Sequence, residues 1–195
     1  MTNTIKTMPH IAIISSSVRI ERKSHRLALY FKNYLEENNL TTAEILDLKE
    51  YNFPIFDERL AFQKSPESNT IKFAEKIKAA DGIIIVSPEY NGSYPASLKN
   101  AIDLLYEEWH HKPIAISTVS EGNFGGSQLI VSLQFILWKI RAWTVTASFP
   151  VPNVNESFDE NGMPINKQIT DKRASRFIKE LLECIEAKPK LEIKK

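Results

Sequence analysis

Three short stretches hold residue types able to grip an anion and a flat polar ring. The first, SSSVRIERKSHR (15–26), puts serine hydroxyls and Arg19 where a strand passes into a helix. A helix start leaves backbone N–H groups unpaired and adds the positive end of the helix dipole, which suits a phosphate. A solvated helix start with scattered cations is the plainer reading. The second, SPEYNGSYPASLKNAID, starts at Ser87. Gly92 tolerates a close approach, Pro88 and Pro95 stiffen the turn, and Tyr90 can pack on a ring. Asn91 and the backbone of Glu89 to Ser93 offer donors and acceptors to a heterocycle. The plainer reading is a rigid loop with Ser93 capping the next helix. The third, SEGNFGG (120–126), carries three glycines near a helix start. Such a nest of N–H groups favours negative charge, although glycines alone would also permit a flexible linker.

The elements that must position these stretches follow from apolar periodicity. HIAIIS from His10, GIIIVS from Gly82, KPIAISTV from Lys112 and WTVTASF from Trp143 read as strands, and AEILDL from Ala43 as a more polar edge strand. Helical spacing predicts helices over about 24–37, 69–79, 126–140 and 170–187, and one from Pro95 whose face carries Leu98, Ile102, Leu105 and Trp109. The segment 49–69 is long, with aromatics beside a proline, as a shaped wall would have. Alternating strands and helices imply an α/β fold: one parallel sheet covered on both faces, in the order 2-1-3-4-5. Ligands bind such sheets beyond the carboxyl ends of the strands, near the switch in strand order. All three stretches lie there, after strands one, three and four. One ligand with a phosphate tail and a planar polar head would touch all three, and flavin mononucleotide (FMN) has that shape.

Composition bounds the alternatives. The chain has 195 residues, 43% hydrophobic, and a net charge of +1. It is long enough to bury a core without metal or disulfide. Near-neutral charge gives no reason to expect a nucleic-acid partner. No signal peptide and no membrane span is expected, and the single Cys184 favours a reducing compartment, so the expected location is cytoplasmic. The first turn has no glycine, so it is neither a dinucleotide fingerprint nor a Walker loop. Ser120 does not sit in a hydrolase elbow, because Thr118 occupies the first glycine position. His110 and His111 lack the further ligands a metal site needs. Cys184 lies in an apolar helical pattern and reads as core.

The second stretch resembles the signature P-E-Y-N-x-S-x-P-x-x-L-K-N-A-I-D of the NAD(P)H-dependent FMN reductase family, flavodoxin-like enzymes that include quinone, azo-dye and chromate reductases. It matches at Pro88, Glu89, Tyr90, Asn91, Ser93, Pro95 and from Leu98 to Asp103. The first stretch is similar to the family's G-S-x-R loop, with Ser16 in place of the glycine. The resemblance spans about 9–149. It implies a flavodoxin-like three-layer sandwich, with 1–187 a single FMN-binding domain; the basic composition of KPKLEIKK separately marks 188–195 as a mobile tail. The resemblance implies that Ser17, Arg19, Ser24 and His25 hold the FMN phosphate. Pro88, Glu89, Tyr90, Asn91, Gly92 and Ser93 would hold the ring and ribityl chain, with Ser120, Glu121, Gly122 and Gly125 approaching the ring. No catalytic side chain and no metal is expected.

The implied activity passes two electrons from NAD(P)H through tightly bound FMN to a small acceptor, by a ping-pong cycle. Quinone, azo compound, free flavin and metal oxyanion all fit as that acceptor. A flavodoxin-like electron carrier and a non-enzymatic regulatory protein are the competing readings. A homodimer or homotetramer is implied. It agrees with the apolar helix LIVSLQFILWKI, which, with the helix face carrying Leu105 and Trp109, would form the buried patch.

Overall fold

The computed structural model describes residues 8–191. β1 (His10–Ser15) leads to α1 (Ser24–Glu37), then β2 (Thr42–Asp47), the short α2 (Leu48–Tyr51) and α3 (Ser68–Ala79). β3 (Gly82–Pro88) and α4 (Ala96–Leu104) follow, then β4 (Pro113–Val119), α5 (Leu129–Lys139) and β5 (Trp143–Val151). The short α6 (Val154–Ser157) and the long α7 (Lys167–Leu191) complete the described residues. The five strands form one sheet in the order β2-β1-β3-β4-β5, every pair parallel.

The sheet is the middle of three layers because alternate side chains must be buried on opposite faces. Ile11 and Ile13 point into a cluster with Phe31, Phe149 and Phe177, beneath α1 and α7. Ala12 and Ile14 point into the other cluster with Phe73, Ile102, Trp109 and Leu133, beneath α3, α4 and α5. β3 and β4 are buried along nearly their whole length, whereas β2 exposes positions and lies at the edge, as its polar alternation predicts. Register pairs Ser15 with Asp47 and with Val86, and Pro88 with Val119. The carboxyl ends of four strands therefore form one rim.

Some elements differ from expectation, each for a local reason. α4 stops at Leu104; the chain then extends and a 3-10 turn at Glu107–Trp109 carries Trp109 into the core. Its indole N–H donates to the Ile102 carbonyl at 3.1 Å. Leu105 and Trp109 are thus buried within the chain and contribute nothing to an outer patch. α5 starts at Leu129 and not at Gly126, because Gly125 and Gly126 hold φ of 62° and 71°, outside the right-handed helical region. In the segment 49–69 Tyr51 and Phe53 face inward, stacked at 5.3 Å and both meeting the edge of Phe73, whereas Phe62 is exposed. Asn100 fastens this wall, donating to the Pro54 carbonyl at 2.8 Å and accepting from the Phe56 N–H at 2.6 Å. α7 runs past the expected end at Ala187, through the first residues of the proposed tail, and 192–195 lie outside the described residues.

Candidate functional site

A single cleft opens on the rim between the turns after β1, β3 and β4. It is lined by Ser17, Arg19, Arg22 and Ser24 from the first, Pro88, Glu89 and Tyr90 from the second, and Ser120 and Glu121 from the third. The three stretches singled out by chemistry thus meet in one place.

The first turn supplies the anion-seeking side. Ser17 is fully buried, and its hydroxyl shares a 2.7 Å hydrogen bond with the Tyr90 hydroxyl across the cleft. The Arg19 guanidinium stands 5.7 Å from the Tyr90 ring centroid, near enough for a cation–π contact. α1 begins without a side-chain cap; the Arg26 N–H donates to the Lys23 carbonyl at 3.1 Å, which leaves the N–H groups of Ser24 and His25 as the donors at the helix start. At that start the Ser24 hydroxyl is buried with no hydrogen-bond partner among the described residues, in a side chain that lines the cleft. A buried hydroxyl left unpaired is costly, and an anion at the uncapped helix start would supply the missing partner. Ser16, standing where the resembling loop has glycine, does not have a positive φ. The turn therefore does not need glycine for its backbone shape. The Ser16 N–H donates to the Val86 carbonyl at 3.1 Å, and its carbonyl accepts from the Ser97 hydroxyl at 2.6 Å.

The second turn is a tight hairpin. Tyr90 and Ser93 exchange backbone hydrogen bonds of 2.7 and 3.1 Å around Asn91 (φ 53°) and Gly92 (φ 79°). Two successive positive φ values identify a primed turn, for which Asn-Gly is the preferred pair. Asn91 and Gly92 are exposed at its tip, and Ser93 is half-buried with its hydroxyl 3.4 Å from that of Ser132. Ser93 does not cap α4; Pro95 stands at that position. The Glu89 carboxylate accepts from the Gln128 N–H at 3.2 Å, just before α5, and so ties the second turn to the end of the third.

The third turn divides in two. Glu121 and Gly122 are exposed, and a side chain added at Gly122 would meet nothing within 4 Å. Gly125 is buried instead, its carbonyl accepting from the Thr118 hydroxyl at 2.6 Å. At Gly126 φ is 71° and a Cβ would stand 3.0 Å from the Val119 carbonyl oxygen, so a side chain there would be both strained and crowded. Gly125 and Gly126 brace the loop while Ser120 and Glu121 face the cleft.

His25 does not join the others. It turns to the far side of the loop, sharing a 3.0 Å hydrogen bond with the Ser15 hydroxyl and lying 3.6 Å from Asp47. Burial, and then the neighbouring Arg22, push its pKa below the ordinary value, against the opposing pull of Asp47 and Glu50. Arg22 belongs to the basic run Arg22, Lys23 and Arg26 of the first stretch; in the fold it lines the cleft and is clasped by both oxygens of Asp47. Arg26 of the same run donates to the Phe158 carbonyl at 2.8 Å. Nothing in the sequence marked Asp47 as the partner of Arg22. Among the described residues no group of three or more His, Cys, Asp or Glu converges, and no helix is long and apolar enough to cross a membrane.

Residues 9–156 match the family model of the NADPH-dependent FMN reductases. The chain is 36% identical over 140 residues to the NAD(P)H-dependent FMN reductase LOT6 of Saccharomyces cerevisiae, covering 65% of this chain and 72% of the relative. It is 38% identical over 90 residues to a quinone reductase of Escherichia coli, covering 44% of this chain and 48% of that one. The fold is similar to that of FerB, a flavoenzyme NAD(P)H:(acceptor) oxidoreductase of Paracoccus denitrificans. The TM-score is 0.72 at 22% identity, covering 91% of this chain and 97% of FerB.

Proposed function

Because the chain belongs to the NADPH-dependent FMN reductase family, we propose that it passes two electrons from a reduced nicotinamide through tightly bound FMN to a small acceptor. Quinone, azo compound, free flavin and metal oxyanion are the acceptor classes that suit this chemistry, and donor and acceptor use one position in turn, in a ping-pong cycle. The observation that carries the reading is the single cleft shared by the three turns, with an unpartnered buried hydroxyl and an uncapped helix start at one end.

FMN, when bound, supplies the hydride chemistry, and the protein supplies binding, orientation and electrostatics. Ser17, Arg19, Ser24 and the first N–H groups of α1 would hold the phosphate. The hairpin from Pro88 to Ser93 would hold the ring and ribityl chain, with Tyr90 fixed by its bond to Ser17. The exposed backbone of Glu121 and Gly122 would direct N–H groups toward the ring, where preorganised dipoles favour added negative charge, while the Ser120 N–H is held by the Val151 carbonyl. The buried Gly125 acts on this site through the loop it braces, and His25 through the strand end it contacts.

We further propose a homodimer or homotetramer. α5 buries Leu129, Leu133 and Leu137 but leaves Val131, Phe135 and Trp138 at 74%, 60% and 66% exposure, an apolar stripe that a second subunit would cover. The free Cys184 fits a reducing compartment such as the cytoplasm. The activity is tested by mixing the FMN-loaded chain with NADPH without oxygen. Rapid bleaching of the flavin absorbance, restored by added quinone, is expected. An unbleached flavin would leave only an electron carrier.

A further inference from the structure

Asp47 ends β2, an edge strand, and its side chain is 4% exposed. A buried carboxylate needs charged or hydrogen-bonding partners. Both of its oxygens accept from the two terminal nitrogens of Arg22, and one also accepts from the Lys49 N–H at 3.0 Å. Arg22 in turn donates to the Ser17 carbonyl at 2.9 Å. The guanidinium thus bridges the end of β2 and the turn after β1, where Ser15 and Asp47 are register partners. It also lines the cleft beside Ser17, Arg19 and Ser24.

A guanidinium carries about five N–H donors. The contacts to Asp47 and Ser17 use three of them, so about two are left for a ligand. A long side chain held in place beforehand loses little freedom when it binds. We propose that Asp47 is a positioning residue for the FMN phosphate: it holds Arg22 across the first turn so that the guanidinium meets the phosphate already oriented. The proposal rests on the FMN reading above and adds Arg22 as a phosphate ligand with Asp47 behind it.

The sign of one mutational effect separates this role from simple charge. A carboxylate near an anion site repels the anion, so removing it should tighten binding if charge alone mattered. Positioning requires the opposite. The experiment measures equilibrium dissociation constants of FMN, and of riboflavin, which has the ring without the phosphate, on flavin-stripped protein. Wild type, Asp47→Asn, Arg22→Ala and the double variant are compared. Asn keeps an oxygen able to accept from the Lys49 N–H. Asp47→Asn is expected to weaken FMN roughly tenfold and leave riboflavin unchanged. The double variant should lie within about twofold of Arg22→Ala, since the two residues act as one unit. FMN binding that tightens or stays the same in Asp47→Asn overturns the proposal, as does full additivity or an equal loss for riboflavin. If Asp47→Asn fails to fold by circular dichroism, Arg22→Lys replaces it. That variant keeps the charge without the fork and should weaken FMN but not riboflavin; unaltered FMN binding there overturns the proposal. A wild-type chain that binds neither flavin overturns the FMN reading and this role with it, whereas tight wild-type binding with an indifferent Asp47→Asn overturns this role alone.

Discussion

Ser24 has a buried hydroxyl with no partner among the described residues, so its worth to the protein is expected to appear only with ligand. Ser24→Ala should leave the thermal midpoint of the flavin-free chain unchanged or slightly raised, and weaken FMN by a factor of about five to ten, the worth of one hydrogen bond to a charged group. Calorimetric unfolding and a flavin fluorescence titration check both halves; a large loss of stability with unaltered FMN affinity would assign Ser24 to folding. Arg19 is exposed, which reduces what its charge contributes. Arg19→Ala should still weaken FMN by roughly fivefold, and more at low salt, because an exposed cation is screened by ions. Equal losses at both salt concentrations would argue against a charge contact. At this scale the sequence was legible where residues cluster locally: Ser17, Arg19, Ser24, Glu89 and Tyr90 all reach one cleft. Arg22 was not, because its partner Asp47 stands 25 residues away on another strand and only the sheet register brings them together.

At the scale of elements, strand identity was easy to read because β1, β3 and β4 are buried on both faces and are correspondingly rich in isoleucine and valine. Helix ends were harder, and the reason is in the backbone. The periodicity of Leu98, Ile102, Leu105 and Trp109 is helical, yet all four are buried although the helix stops at Leu104. A core can collect the same apolar residues from a helix and from the turn after it, so period alone did not mark the break. For α5 the periodicity failed to separate a wet face from a dry one, since its outer face is apolar too. Phe135 and Trp138 touch each other there, ring centroids 5.8 Å apart, and Lys139 lies 5.4 Å from the Trp138 ring. Trp138→Glu should convert the proposed oligomer to a monomer with an intact fold, as read by sedimentation. A wild-type chain that sediments as a monomer at micromolar concentration would end the oligomer proposal.

The whole molecule separates a functional rim from an opposite end built for stability. At that opposite end Lys112, 5% exposed, donates to the Lys78 carbonyl at 3.1 Å and the Ala80 carbonyl at 2.5 Å, closing the end of α3. Burial, and then the like charge of Lys188, push its pKa down to about 8 from an ordinary 10.5, with Asp81 opposing. Between those two values the unfolded chain holds more protons than the folded one, so stability contributed by this group rises with pH. Denaturant unfolding of wild type and Lys112→Met across that window should show wild type gaining on the variant as pH increases; parallel curves would mean Lys112 titrates normally. The sheet order was legible as a whole because the polar edge strand and the buried strands fit the order β2-β1-β3-β4-β5 best. The rim follows from that order, and the reading of function depends on the rim. A crystal structure of the chain grown with FMN tests this most directly. The account predicts the phosphate between Ser17, Arg19, Arg22 and Ser24, with the ring between the hairpin at 90–93 and the loop at 120–122. FMN bound elsewhere, or a cleft left empty at saturating FMN, would contradict it.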